Sequence, residues 1–172
     1  MKMDFDALKK RNAMALHDLK EQGKHVVGMF CTYSPKELIY AAGAVPVGLC
    51  AYDESPIDAA HAKLPRNLCP LIKASYGYAV TKKCPYMNAS DLVIGETTCD
   101  GKKKMYELLA KHKDVHVLQL PNMRDGKSLE LFTDELREFR KVLEQKFDTK
   151  ITDEALLDAV QIYNEERKVM LE

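Results

Sequence analysis

The sequence predicts an α/β fold in which a parallel, four-stranded sheet is flanked by helices. Two observations lead to this prediction. Four short apolar runs alternate with segments whose apolar residues recur at helical spacing, and long amphipathic helices stand at both ends of the chain. Strands separated by helices are typical of parallel pairing with right-handed crossovers. The chain has 172 residues, which is enough for one domain with a core of its own.

The first part of the chain supplies one helix and two strands. Residues 4–22 carry apolar side chains at helical spacing, and Gly23 is expected to end this helix. Residues 25–30 form a short apolar run that is typical of a buried strand. Residues 45–49 form a second run. Pro46 within it indicates an edge strand or a strand start, because proline has no N–H to donate to a neighbouring strand.

The helix between these two strands is predicted to begin with a capping box. Ser34 would be the N-cap, Pro35 the first helical residue and Glu37 the third, and this spacing satisfies two backbone N–H groups at the start of a helix. The helix is expected to end at Gly43. This capping role is sufficient to explain Glu37 without any function in a site.

The second part of the chain begins with a polar segment over residues 51–69, which we interpret as a long loop of the kind that is often functional.

The last helical pattern continues to Glu172, so we expect the chain to be part of a longer protein or to pack against a partner. Together the elements predict one three-layer domain of the Rossmann or flavodoxin type over residues 1–172. The remaining elements, in order, are a helix over 70–83, strand 91–95, helix 102–113, strand 115–120, and two long helices capped by Ser128 and Thr152.

Composition excludes several classes of function. Lys+Arg and Asp+Glu both number 26, so a formal net charge of zero gives no bulk attraction to nucleic acid or to an anionic membrane. We find no apolar run of membrane-spanning length and no apolar leader at the N-terminus. The expected compartment is the cytoplasm, where disulfides are rare, and five cysteines in such a chain need another explanation.

Three cysteines fall at comparable points of the predicted fold. Cys31 follows the first strand, Cys99 follows the third, and Cys69 directly precedes the helix that starts with Pro70. Ligands of open parallel sheets bind beyond the carboxyl ends of the strands, so the three sulfurs could converge there. Helix N-termini also stabilise anionic sulfur. From position alone, metal or cluster binding and inert buried thiols both remain open.

The other candidates are interpreted more simply. Cys50 ends an apolar strand and is interpreted as a structural thiol, whereas Cys84, before a proline, is ambiguous. Lys102, Lys103 and Lys104 could add positive charge beside Cys99 or could form a solvated helix face. Three histidines are expected to be surface or packing residues: His17, His112 and His116.

Three segments resemble those of one enzyme family. Residues 28–47 (GMFCTYSPKELIYAAGAVPV), 67–77 (NLCPLIKASYG) and 91–107 (DLVIGETTCDGKKKMYE) are similar, in this order, to the cysteine-bearing segments of the 2-hydroxyacyl-CoA dehydratase/benzoyl-CoA reductase family. The resemblance covers about residues 25–125. The CTYSP and DGKKK forms are most similar to the double-cubane cluster branch of that family.

The resemblance implies an iron–sulfur cluster, either [4Fe–4S] or a double-cubane [8Fe–9S], with Cys31, Cys69 and Cys99 as its ligands. It implies an ATP-dependent iron–sulfur activator protein, an identical or related subunit in a dimer, and an acyl-CoA or other small-molecule substrate. Family subunits are about twice this length, so the chain is expected to be the N-terminal half of a two-domain subunit. Neither nucleic acid nor a membrane is expected as a partner.

The function implied is reduction or radical dehydration of a 2-hydroxyacyl-CoA or a related small substrate. Two alternatives are a cluster-binding module that only relays electrons and a metal-free structural domain. Tyr33 and Glu96 are the candidate catalytic residues, and Ser75 and Tyr76 are expected near the site because they follow Cys69 on its helix. Replacing Cys50 with alanine is predicted to leave the iron content unchanged.

Overall fold

A computed structural model describes residues 4–51 and 53–171, and it confirms the predicted α/β fold. The four strands form one sheet in the order β2-β1-β3-β4, and all three pairings are parallel. Pro46 lies on the edge strand β2, as its missing N–H predicts. The strands are β1 (Val26–Met29), β2 (Val45–Gly48), β3 (Leu92–Glu96) and β4 (Val115–Leu118).

Helices cover both faces of this sheet. The predicted loop over residues 51–69 contains a short helix, α3, and a second short helix, α5, was not predicted, because neither has enough turns to give a periodic pattern. The predicted continuation to Glu172 lies outside the described residues. The helices are α1 (Phe5–Glu21), α2 (Lys36–Ala41), α3 (Ile57–Ala60), α4 (Pro70–Thr81), α5 (Pro85–Ala89), α6 (Asp100–Leu109), α7 (Gly126–Phe147) and α8 (Asp153–Leu171).

The capping box predicted at Ser34 is wrong. Pro35 is the N-cap of α2 and makes no side-chain cap, while the Ser34 hydroxyl donates to the carbonyl of Phe30 at 3.3 Å. Glu37 instead forms an ion pair with Arg167 on α8. A contact 130 residues away along the chain therefore replaces the local bond that the motif predicted.

Of the two cap predictions for the C-terminal helices, one is wrong and one is confirmed. Ser128 is not the cap of α7: Asp125 is, and its carboxylate accepts from the Ser128 N–H at 2.8 Å. The prediction for α8 is confirmed, because the Thr152 hydroxyl accepts from the Ala155 N–H at 3.1 Å. Helix α7 therefore begins three residues earlier than the serine would have started it.

The hydrophobic core has two parts, one on each face of the sheet. One part joins α4 and α6 to the sheet and includes Phe30, Tyr76 and Met105; the other joins α2 and α7 to it and includes Ile39 and Phe139. The central strand β3 is buried along its whole length, as its continuous apolar run predicts. In the described part of the chain, no helix is both long enough and apolar enough to cross a membrane.

Candidate functional site

A cavity of about 290 Å³ opens beyond the carboxyl ends of β1 and β3, where a parallel sheet is expected to bind ligands. Four of the five cysteines lie on its wall, together with the amine-bearing side chain of Lys102. Much of the remaining wall is apolar, with Phe30, Ile72 and Met105 among its members. The four cysteines are Cys31, Cys50, Cys69 and Cys99.

Cys31 is held in an uncommon backbone conformation. It follows β1 with a φ of 73°, which side chains other than glycine rarely adopt. The Phe30 N–H donates to the carbonyl of Ile94 at 2.9 Å before this turn, and the buried Ser34 hydroxyl closes the turn from the other side. These bonds fix the backbone that presents the exposed Cys31 side chain to the cavity.

Cys69 and Cys99 are the N-cap residues of α4 and α6. Neither side chain makes a cap hydrogen bond, and both residues are exposed at the start of a helix, where the free N–H groups and the partial positive charge favour a bound anion. The loop before Cys69 is tethered by the largely buried Lys73, whose ammonium donates to the carbonyl of Arg66 at 2.7 Å. The three predicted ligands therefore meet at one cavity.

Lys102 is fixed beside these thiols by a buried carboxylate. The Glu96 side chain is fully buried and forms an ion pair with Lys102, whose side chain is 15% exposed. The two Glu96 carboxylate oxygens also accept from the N–H and the hydroxyl of Thr98, both at 2.8 Å. Cys31 lies on the same cavity wall as Lys102. The pair thus places a fixed positive charge on the wall that carries the thiols.

The pKa values of the pair follow from this network. Burial alone would raise the pKa of Glu96, but the hydrogen bonds from Lys102 and Thr98 outweigh it and hold that pKa below its ordinary value. Burial alone would lower the pKa of Lys102, but the Glu96 carboxylate raises it, with a smaller contribution from Cys31. Both groups are therefore charged at neutral pH.

The ring of Tyr106 packs against the strand that carries Glu96. Tyr106 on α6 packs directly over Gly95, where a Cβ atom would collide with the ring. The Tyr106 hydroxyl accepts from the Glu96 N–H at 3.3 Å, and burial raises the pKa of this tyrosine well above its ordinary value. Gly95 is thus needed for close approach of a helix to the strand that carries Glu96.

The other two lysines of the run behave differently. Lys103 pairs with Asp100 at 3.0 Å and Lys104 pairs with Glu107 at 2.7 Å, and all four side chains are exposed. Lys102 therefore adds positive charge beside the thiols, whereas Lys103 and Lys104 form a solvated helix face. The sequence does not display this division, because a run of identical residues gives no signal of which one faces inward.

The candidate catalytic residues lie at different places. Glu96 is behind Lys102 and is not among the residues that line the cavity, and Tyr33 is exposed. Tyr33 lines a neighbouring cavity of about 420 Å³, together with Arg124 and Thr98. Thr98 contributes to the walls of both cavities. Tyr33 therefore faces a space adjacent to the thiols.

Two further residues were expected near Cys69 on α4. Ser75 does line the thiol cavity, whereas Tyr76 is buried in the core next to the ring of His112. The remaining histidines agree with the packing and surface roles predicted for them. His116 is stacked on Phe139 with ring centroids 5.2 Å apart, and the exposed His17 lies 3.4 Å from Glu21.

The interpretation of Cys50 as a buried structural thiol is wrong. Its side chain is exposed and lies on the wall of the thiol cavity, because the turn after the edge strand β2 brings it to the same rim as Cys31. The structural thiol is Cys84, which is buried and whose sulfur accepts from the Met87 N–H at 3.4 Å as the cap of α5.

The donor atoms at this cavity are sulfur atoms, which are the usual ligands of iron–sulfur clusters. Across residues 4–51 and 53–171, no three His, Cys, Asp or Glu side chains are grouped closely enough to hold one metal ion. A cluster places a different requirement on its ligands, because each thiolate binds a different iron atom. Soft sulfur ligands that line an apolar cavity, with helix N-termini behind two of them, are chemically compatible with that requirement.

Comparison with known proteins gives consistent matches. The family model described as 2-hydroxyglutaryl-CoA dehydratase, D-component, matches residues 31–172. YjiM of Escherichia coli (strain K12), which is named as a dehydratase subunit, is 48% identical over 96% of this chain and 44% of its own length. Lactoyl-CoA dehydratase subunit beta of Anaerotignum propionicum is 30% identical over 92% of this chain and 42% of its own length.

A reductase component is also similar. One of the subunits of benzoyl-CoA reductase from Thauera aromatica is 28% identical over 87% of this chain and 39% of its own length. The chain therefore spans less than half the length of the curated relatives it matches.

Proposed function

The chain belongs to the 2-hydroxyglutaryl-CoA dehydratase D-component family, and from this premise we propose that it is the iron–sulfur portion of a low-potential dehydratase or reductase subunit. The proposed cluster ligands are Cys31, Cys69 and Cys99. The observation that supports the proposal is that these thiols, from three separate loops, line one cavity at the carboxyl edge of the sheet. The proposed cluster is a [4Fe–4S] or a double-cubane [8Fe–9S] cluster.

The cluster would supply single electrons at low potential, because thiolate ligands donate charge to iron. The protein's own residues have separate roles. The thiolates hold the metal atoms, and the apolar wall formed by residues such as Phe30 and Met105 limits water around them. Lys102 offsets part of the negative charge that bound thiolates bring, and the helix N-termini behind Cys69 and Cys99 do the same.

Glu96 and Tyr33 take different roles in this proposal. Glu96 is a positioning residue, because its carboxylate holds the Lys102 ammonium and is itself covered. Tyr33 is the residue that would touch substrate, since its exposed phenol lines the cavity next to the thiols. Arg124 on the same wall offers a cation for an anionic part of that substrate.

The proposed substrate is a 2-hydroxyacyl-CoA, which loses its hydroxyl group after one-electron reduction, or a related small molecule. The relatives are named as subunits, which supports a partner subunit, identical or related. We propose that this chain corresponds to the N-terminal half of a two-domain subunit and that an ATP-dependent iron–sulfur activator delivers the electron. Free thiols of this kind require a reducing compartment, so we place the reaction in the cytoplasm.

Anaerobic assembly of the cluster tests the proposal. The chain, reduced and then incubated with ferrous iron and sulfide, should bind about four irons if the cluster is [4Fe–4S]. The single variants Cys31→Ala, Cys69→Ala and Cys99→Ala should each bind much less iron and sulfide. Cys84→Ser is the matched control, because its hydroxyl can still cap α5. Iron binding that survives all three alanine variants would contradict the ligand set.

A second measurement separates catalysis from electron relay. Turnover of a 2-hydroxyacyl-CoA is measured with the full-length subunit, its partner subunit, the activator and ATP. Dehydration that is lost in Tyr33→Phe, with iron content unchanged, would support a catalytic subunit and the role of Tyr33. A cluster that is reduced by the activator without any turnover of acyl-CoA substrates would favour the relay module.

A further inference from the structure

We propose that Gly101 is a positioning residue whose missing side chain sets how closely the two helices behind Cys69 and Cys99 approach each other. Gly101 is the second residue of α6, and Cys69 and Cys99 are the N-caps of α4 and α6. This inference rests on the proposed function, because its consequence is the spacing of two proposed cluster ligands. Gly101 would act through those ligands and would not itself bind the cluster.

The space beside Gly101 is occupied by α4 and the residues that lead into it. A Cβ atom at Gly101 would lie 2.7 Å from Cδ1 of Ile72 and 3.1 Å from Cδ1 of Leu68, the residue before Cys69. Carbon atoms in contact are normally about 3.5–4.0 Å apart, so a methyl group here requires its neighbours to move. The same Cβ atom would lie 3.7 Å from Sγ of Cys99, in contact with a proposed ligand.

Backbone conformation does not explain the glycine at this position. Among the described residues, the glycines with a positive φ are Gly23 and Gly43, so the backbone of Gly101 is one that alanine can adopt. Alanine is also the better helix former of the two residues. The close packing of α4 against α6 is therefore the physical reason for a glycine here.

The neighbours of this glycine cannot move without changing the thiol cavity. Ile72 is buried in the core part that includes Tyr76 and Met105, and it also lines the cavity. If the Ile72 side chain turns away from a new methyl group, the open space that it can enter is the cavity itself. If it does not turn, α4 and α6 separate and carry Cys69 and Cys99 apart. Either response disturbs a site whose ligands must be held to within about 0.5 Å.

Cluster retention in Gly101→Ala tests the inference without an activity assay. The unmodified chain and the variant are assembled anaerobically with ferrous iron and sulfide, and the release of iron to a chelator is followed. We expect Gly101→Ala to release iron roughly tenfold faster or more, and the EPR spectrum of its reduced cluster to change with the ligand spacing. Gly126→Ala is the matched control, because Gly126 also lies at the start of a helix and a Cβ atom there has no neighbour within 4 Å. It should release iron at the unmodified rate.

A second substitution separates this contact from other effects of the methyl group. Ile72→Val removes the Cδ1 atom that the new methyl group would meet. The double variant Gly101→Ala/Ile72→Val should therefore recover most of the iron retention that Gly101→Ala loses, while Ile72→Val alone stays close to the unmodified rate. If Gly101→Ala alone does not fold, a folded, cluster-binding double variant still supports the inference, and a double variant that also fails contradicts it.

Thermal midpoints of the metal-free proteins measure the same contact without iron. The midpoint of Gly101→Ala should fall and that of Gly126→Ala should not, because only the first methyl group meets a neighbour. The midpoint of the double variant should exceed the value expected from adding the two single changes, as for residues in contact. Additive midpoints would overturn the inference.

The outcomes also separate this inference from the proposed function. An unmodified chain that binds no iron would overturn the proposed function, and this inference with it. Equal iron release from Gly101→Ala and the unmodified chain would overturn the inference and leave the proposed function standing. Faster release that Ile72→Val does not reverse would overturn it too, because the packing of α4 against α6 would not be the cause.

Discussion

The two ends of the central strand β3 carry the same kind of ion pair in different surroundings. At the amino end Asp91, the residue before β3, pairs with Lys20 of α1 at 2.7 Å. At the carboxyl end Glu96, the last residue of β3, pairs with Lys102 of α6. The side chains of Lys20 and Asp91 are 32% and 30% exposed, whereas those of Lys102 and Glu96 are 15% and 0% exposed.

The difference separates a structural pair from a site pair. Asp91 also accepts from the Val26 N–H at 2.8 Å, so this pair joins α1 to the amino edge of the sheet, away from the thiols. Lys102 instead lies on the thiol cavity with Cys31 as a neighbour. The presence of a lysine–carboxylate ion pair therefore does not by itself indicate a functional site. Its burial and its neighbours determine whether it supports a fold or a site.

Lys102→Met should produce the largest effect. It leaves the fully buried Glu96 without its cation, and breaking a buried pair in this way costs about 3 kcal/mol of unfolding free energy. Cluster retention in the assembled protein should also fall, roughly 10–100-fold, because a residue that supports the ligands is lost. Urea unfolding and iron release to a chelator measure the two effects. A destabilisation below about 0.5 kcal/mol would mean that the Lys102–Glu96 pair contributes no more to stability than an exposed ion pair.

The pH dependence of stability sharpens the same distinction. In the unmodified chain the pKa values of Glu96 and Asp91 are lowered from their ordinary values of 4.5 and 3.8. The two carboxylates therefore stabilise the fold at a pH above those ordinary values, and this stability is lost as the pH falls through the lowered pKa values. In Lys102→Met, burial would raise the pKa of Glu96 in the folded state. This variant should regain part of its lost stability as the pH is lowered towards 4.5, whereas the unmodified chain should not. Unfolding free energies measured from pH 7 to 4.5 test this contrast, since these carboxyl groups should give the variant a gain in stability over that range and the unmodified chain none.

Lys20→Met should have a smaller effect, confined to the fold. The pair is partly exposed, and Asp91 keeps its bond from the Val26 N–H, so we expect a loss of about 1 kcal/mol. Cluster assembly should be unchanged. Loss of iron binding in this variant, at equal stability to the unmodified chain, would contradict the assignment of this end of β3 to structure alone.

Lys103→Met should have the smallest effect and serves as the matched control for Lys102→Met. Its pair with Asp100 is exposed, and such pairs contribute about 0.5 kcal/mol or less. Both stability and iron retention should stay close to those of the unmodified chain. If Lys103→Met and Lys102→Met released iron equally fast, the general charge of the α6 N-terminus would be responsible, and the contact between Lys102 and Glu96 would not.

The fold was predictable because its signals are local and repeated. The four apolar runs and the turns that follow them indicated a parallel sheet, and in such a sheet Cys31 and Cys99 must lie at the same edge. Pro46 indicated an edge strand or a strand start because it has no N–H, and it lies on the edge strand β2. These inferences need only the direction of each strand, which alternation with helices supplies.

The rest depends on tertiary register, which a single sequence does not display. Cys50 was interpreted as structural because it ends an apolar strand, yet it reaches the cavity through the pairing of β1 with β2. Lys102 was indistinguishable from its neighbours until its contact with Glu96 was seen. The capping box at Ser34 failed because Glu37 pairs with Arg167 of α8. The contacts of Cys50 and Glu37 join segments far apart in the chain, whereas Lys102 and Glu96 are six residues apart and are brought together by the turn from β3 into α6.

The backbone of Cys31 has a consequence for anyone who redesigns this protein. Its φ of 73° costs a side chain other than glycine on the order of 1 kcal/mol, so Cys31→Gly should stabilise the fold. A design procedure that ranks sequences by thermostability would therefore favour glycine at this position and delete a proposed ligand. Thermostability and metal retention need to be scored separately here, because this one backbone angle sets them against each other.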